Sequence, residues 1–173
     1  FTGLTGFTQG PVPIDFQGDT LWVHPTDNST GMVRWNAWGL NISEGNGAEN
    51  TTNGFANTQA IVSEINNGTA FLCDTLTAYG YDNWYLPVKT ELNALYQNKD
   101  SIGNFNSSFI YWSSTEIDAY GAWKQYFGNG NQDYGWKDGY GGRVQCVRKN
   151  NPTNNLTISL DSIIPATTNG TCD

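Results

Sequence analysis

The sequence predicts an α+β fold. Apolar residues recur at helical spacing from Thr58 to Tyr79 and again after Pro87, whereas from Phe109 to Arg148 the pattern becomes strand-like. Helices first and strands after is the order of an α+β chain. With 173 residues at 38% hydrophobic, the chain can bury one proper core but not comfortably two, so one domain with short extensions is expected.

Residues 1–17 hold Phe1, Leu4, Phe7, Val12, Ile14 and Phe16 among glycines and prolines, without helical periodicity, and read as an extended arm. The domain proper is expected over residues 18–149. Leu21-Trp22-Val23 and Met32-Val33-Arg34-Trp35 read as short strands around a Pro25–Gly31 turn, and Gly39 to Gly54 as a loop. Thr58–Ile65 and Thr69–Tyr79 are helical in pattern, and Asn66-Asn67-Gly68 between them predicts two pieces or one kinked helix. A second helix should follow Pro87, with Leu92, Leu95 and Tyr96 on its buried face. Turns are expected at Gly128-Asn129-Gly130 and at Gly139–Gly142. Residues 150–173 form a tail in which Leu156, Ile158 and Leu160 alternate with Thr157 and Ser159, as in an added strand.

The balance of 8 Lys+Arg against 16 Asp+Glu gives a net charge of −8, a field that repels polyanions, and no basic run argues for nucleic acid as a partner. Charged residues are only 14%, and the polar remainder is Asn, Thr, Ser and Gly, a composition that favours an extracellular or cell-surface protein. No apolar segment approaches the ~20 residues that span a bilayer. Phe1-Thr2-Gly3-Leu4 lacks the basic flank and apolar run of a signal peptide, as expected of a mature or excised form. Sequons begin at Asn28, Asn41, Asn50, Asn67, Asn106, Asn155 and Asn169, candidate glycosylation sites that a chain so rich in Asn, Thr and Ser also generates by chance. Cys73 lies in an amphipathic segment and Cys146 in an alternating run, so the two are either bridged or buried thiols. Cys172 is left over, to pair with another chain or with residues beyond these.

Catalysis finds little support. The single histidine, His24, sits between Val23 and Pro25 as a structural hydrogen-bonder would, and there is no nucleophile elbow, P-loop or cysteine–histidine zinc spacing. Glu91, Asp118, Asp133 and Asp138 could in principle pair as acid and base or hold calcium, but the sequence places no two of them together. No cofactor or metal is therefore expected. Glu116 reads as a buried hydrogen-bonding residue.

The most specific pattern runs from Tyr81 to Lys149. Gly80-Tyr81-Asp82-Asn83-Trp84-Tyr85-Leu86-Pro87, Glu91-Leu92-Asn93 with Leu95-Tyr96, Tyr111-Trp112-Ser113-Ser114-Thr115-Glu116, Ala122-Trp123, Phe127 with Gly130, and Arg143-Val144-Gln145-Cys146-Val147-Arg148 follow one another in order. Upstream stand Pro25 to Gly31, Trp35, and Asn57-Thr58 with Ile61-Val62. This order resembles the bacterial C-type-lectin-like domains typified by the C-terminal domain of the Legionella collagen-like adhesin, over about residues 18–149. Val88 departs from the Thr or Ser that caps a helix there.

The resemblance implies a C-type-lectin-like fold, with two helices packed on a small twisted antiparallel sheet bearing long loops, and a Cys73–Cys146 disulfide. Trp84, Trp112 and Trp123, at the fixed points, should be buried, and Phe127 with them. The intervals between these points carry Tyr120, Tyr126, Asn131, Asp133, Tyr134, Trp136, Asp138 and Tyr140. Tyrosine gives contact area at small entropic cost and Asn and Asp adaptable hydrogen bonds, so these are the candidate ligand-binding residues, expected largely on one exposed face. They point to a non-catalytic adhesion or recognition domain for an extracellular glycan or protein. A competing expectation is a filament subunit that self-associates through the N-terminal arm or C-terminal tail. The sibling fold of formylglycine-generating oxidases shares the Leu-Pro-x-x-x-Glu helix start but needs an active-site cysteine pair, and Cys146 alone occupies the terminal strand.

Overall fold

The computed structural model describes residues 9–42 and 47–150. The expected strand Leu156–Leu160, Cys172, and the sequons at Asn155 and Asn169 lie outside the described residues, as do Phe1, Leu4 and Phe7. The architecture is α+β: β1 (Val12–Phe16), β2 (Asp19–Val23), α1 (Gly54–Glu64), α2 (Gly68–Asp74), α3 (Lys89–Gln97), α4 (Lys99–Ile102), β3 (Ile110–Glu116), β4 (Gly121–Tyr126), β5 (Gln132–Trp136) and β6 (Val147–Lys149). Two antiparallel sheets form, ordered β1-β2-β6 and β3-β4-β5, where a single sheet was expected. The segment between β5 and β6 ties them together. Gly142 bridges Val33, Arg143 bridges Tyr111, and Val147 bridges Tyr85 while also pairing with Val23.

Period-two alternation divides the interior. Trp112 enters a core cluster with Trp35, Ile61, Trp84, Leu86, Val144 and the cysteines, while its neighbour Tyr111 enters a second with Ile14, Leu21, Leu92, Leu95, Phe127 and Val147. Cys73 on α2 and Cys146 are disulfide-bonded inside the first cluster. The helices form two pieces broken at Asn66–Asn67, and Gly68 restarts the chain at φ +83 with the Trp35 carbonyl 2.7 Å from where a Cβ would stand.

Three expectations need correction. Val12–Phe16 is not a free arm. Ile14 and Phe16 are buried, and the strand joins β2 through Gln17-Gly18, both left-handed as a two-residue hairpin turn requires. Met32–Trp35 makes no strand beyond the Val33 bridge, because Asn36 and Ala37 take left-handed conformations directly after Trp35 and turn the chain away. Trp123 is half-buried rather than core, with the Lys89 ammonium 3.0 Å from its ring centroid, whereas Trp84, Trp112 and Phe127 are fully buried. On α3, Leu92 and Leu95 are buried and Tyr96 only partly so. The cap that Val88 cannot supply comes from elsewhere: Glu91 Oε2 accepts from the Val88 N–H (3.1 Å) and Thr115 Oγ1 of β3 accepts from the Lys89 N–H (3.0 Å).

Candidate ligand-binding surface

β4 and β5 form a hairpin, and at the end where β3 turns into β4 its aromatic side chains gather. Asp118 Oδ1 accepts from the N–H groups of Tyr120 (2.8 Å) and Gly121 (2.7 Å), which shapes that turn. Gly121 leaves the room that the Tyr134 ring fills: a Cβ there would lie 2.0 Å from that ring, which covers it from the neighbouring strand. Trp136, paired with Gly121, packs edge-on against Tyr134 with centroids 5.1 Å apart. The Tyr134 hydroxyl reaches Asp118 (3.4 Å), and slight burial followed by that carboxylate raises its pKa.

The fourth ring was not anticipated. Trp38 packs on Trp136 (5.6 Å) and Tyr120 (5.0 Å), closing a ridge of four aromatics. Trp38, Tyr120 and Trp136 remain 46%, 48% and 57% exposed, which is high for rings that already touch one another. The segment bearing Trp38 is held from three sides. The Asn36 N–H donates to the Lys137 carbonyl (3.0 Å), the Gly39 N–H to the Ala119 carbonyl (2.9 Å), and the Lys137 ammonium to the Leu40 carbonyl (2.8 Å). Ala37 at φ +61 costs about 1 kcal/mol relative to ordinary backbone, strain of the kind held at functional sites. The sequence signal was there: Trp38 stands three residues from buried Trp35 and directly before a glycine, in a loop.

Lys137 and Glu116 form a fully buried ion pair beneath the ridge. Glu116 also accepts from the Ile42 N–H (3.2 Å), in keeping with its expected structural role. Burial lowers the Lys137 pKa, and the hydrogen bond and charge of Glu116 oppose that shift. The ammonium lies 4.8 Å from the Trp35 centroid.

Of the sequence-chosen residues, Tyr120, Tyr134 and Trp136 share the ridge, and Asp138 and the fully exposed Tyr140 border it. The others do not join one face. Tyr126 and Asn131 sit at the opposite end of the hairpin, roughly 17 Å along β4 at strand rise. Asp133, across from Lys124, projects from the side of the sheet opposite Tyr134. All eight are nevertheless exposed or partly exposed. On the Lys124 side a groove of about 430 Å³ opens between Trp38, Trp136 and Tyr140, floored by Gly135 and the edge of Trp112.

A second cleft, about 490 Å³, lies between the start of α1 and β6 and contains Glu91. Its buried carboxylate is fully engaged, by the Tyr85 hydroxyl (3.0 Å), Lys149 (3.0 Å) and the Val88 N–H. Burial raises the pKa of Glu91 despite Lys149, and raises that of Tyr85. The Glu91 carboxylate is tied to β6 of the first sheet through Lys149 and does not line the groove beside the ridge. His24 is buried, bonded to Thr26 and packed on Trp84 and Tyr79. Among the described residues no three His, Cys, Asp or Glu side chains are grouped to hold a metal ion, and no helix is long and apolar enough to cross a membrane. Of the sequons, Asn41, Asn50, Asn67 and Asn106 are exposed, whereas Asn28 accepts the Cys146 N–H (2.7 Å) within the fold.

The order of these frame elements matches a family model, the Lcl C-terminal domain, over residues 16–148. The chain belongs to the Lcl C-terminal domain family. Membership suggests an adhesin-like extracellular domain. The match starts at the last residue of β1 and ends inside β6, so it takes in the first core cluster, the buried residues of the second except Ile14, and the whole aromatic ridge. No curated protein matches the chain.

Proposed function

We propose that this Lcl C-terminal domain is a non-catalytic adhesion module that recognises an extracellular glycan or protein through the ridge of Trp38, Tyr120, Tyr134 and Trp136 with the adjoining groove. The observation that carries this reading is the cluster of rings left half in solvent on a braced scaffold. Burying them inward would have gained apolar stabilisation, so their exposure is a standing cost that a ligand offsets. Rigid aromatics flanked by Asp and Tyr hydroxyls are also the chemistry of binding hot spots.

The test is an array of glycans and host extracellular proteins probed with wild type, Trp38→Ala and Trp136→Ala, with and without chelator. Each substitution should abolish the wild-type signal while leaving the thermal midpoint nearly unchanged, and chelator should have no effect. Binding that survives both substitutions would overturn the assignment. Loss of self-assembly on deleting residues 1–11 or 151–173, with both tryptophan variants behaving as wild type, would favour the filament subunit instead.

A further inference from the structure

We infer that the groove beside the ridge takes a carboxylate-bearing pyranose, a uronic or sialic acid, with its carboxylate on Lys124 and its ring against Trp38 and Trp136; this rests on the ridge being the ligand surface. The argument starts from a census of cations. Lys137 pairs with Glu116, Arg143 with Asp27 and Lys149 with Glu91. Lys89, Lys99 and Arg148 lie over aromatic rings. Only Lys124 and the exposed Arg34 make no ion pair, ring contact or side-chain hydrogen bond among the described residues, in a chain where acids outnumber bases two to one.

Lys124 is not free by default. It stands directly across the ladder from Asp133, the position where an opposite charge pairs most readily, yet the two do not meet. Its stem lies over Gly135: a Cβ at that position would come 2.9 Å from Lys124 Cδ and 2.5 Å from the Trp112 ring. The bare glycine thus keeps the floor open with the lysine stem along it, and Lys124 lines the groove. A partly buried lysine without an ion-pair partner gains most from an anion that arrives with its own apolar surface.

The ligand's remaining chemistry follows from the walls. The faces of Trp38 and Trp136 suit the C–H face of a sugar ring, and Asp138 at the lip is an acceptor for hydroxyl donors. One cation among Asp133, Asp138 and a net charge of −8 cannot hold a polysulfated chain, which needs a basic stripe. A single carboxylate per bound ring it can hold.

The decisive measurement is calorimetric titration of the whole chain with oligogalacturonate, its methyl ester, sialyllactose and lactose, and with dextran sulfate as a polyanion control. Oligogalacturonate or sialyllactose should bind, and affinity should fall about tenfold or more on esterification or loss of the acid, the worth of one charged hydrogen bond. Lys124→Gln should reproduce that fall with an unchanged melting profile, and Lys124→Arg should retain binding. If Trp136→Ala abolishes binding but Lys124→Gln and the ester bind as tightly as their parents, the carboxylate assignment is overturned and the ridge reading stands. If Trp136→Ala binds normally, both fail. Tighter binding of dextran sulfate than of any carboxylated sugar, or no binding of either acidic sugar, also overturns the inference.

Discussion

Replacing Cys73 and Cys146 together with alanine removes a bridge between α2 and the segment before β6 across 73 positions of sequence. On the chain-entropy account a closed loop of that length stabilises by about 4 kcal/mol, through the unfolded chain rather than through any contact. Both sulfurs are also fully buried beside Trp35 and Trp84, so their loss adds a packing cost on the order of 1 kcal/mol. The sum, about 5 kcal/mol, rivals the whole stability of many domains. With a urea dependence of about 2 kcal/mol per molar, the midpoint should fall by roughly 2.5 M, and the slope should steepen because the uncrosslinked chain exposes more surface. Tryptophan fluorescence against urea reads both quantities. Reduced wild type serves as the control that keeps the sulfurs and loses only the link; it should show most of the fall. A shift below about 0.5 M for both samples, in protein whose bridge has been verified by peptide mapping, would refute the reasoning.

Two further outcomes probe the frame. Glu116→Gln leaves the buried Lys137 ammonium without its counter-charge and should cost about 3–5 kcal/mol at pH 7. It also lowers the already depressed lysine pKa further, so the unfolded chain binds the extra proton, and the variant should regain stability as pH rises toward the ordinary lysine range while wild type changes less. Parallel stability profiles between pH 7 and 10 would count against the pair. Trp112→Ala, which empties a fully buried site and removes one of the two donors to the Val33 carbonyl, should cost about 3–5 kcal/mol, and Trp123→Ala distinctly less because its ring is half in solvent under Lys89. Equal losses in denaturant melts would show that the two positions are alike.

The frame was legible where motif order or a helix-ending residue marks a position. Cys73, Trp84, Trp112 and Cys146 stand at the points where the resemblance implied burial and are buried, and the break at Asn66–Gly68 is written in residues that end helices. Legibility failed where the deciding partner is distant in sequence. Trp123 and Trp112 look alike as letters, but Trp112 faces Trp35 and Val33 across the core, while Trp123 faces outward beneath a lysine from α3. Residues of β1 looked like an arm because two prolines and a Gln-Gly turn mask the alternation of Ile14 and Phe16, which has meaning only once β2 supplies its pairing edge.

The candidate site shows the same division. The strand-like pattern from Phe109 to Arg148 was visible, yet which side of the sheet carries the groove depends on the Trp38 loop, far upstream and fixed by hydrogen bonds to Ala119 and Lys137. Those bonds separate support from recognition. Lys137, Glu116 and the left-handed Ala37 spend conformational freedom to hold Trp38 in place, and none of them faces the groove. Substitutions in the supports should therefore act through stability and ring position, and those at Trp38, Trp136 and Lys124 through the ligand alone.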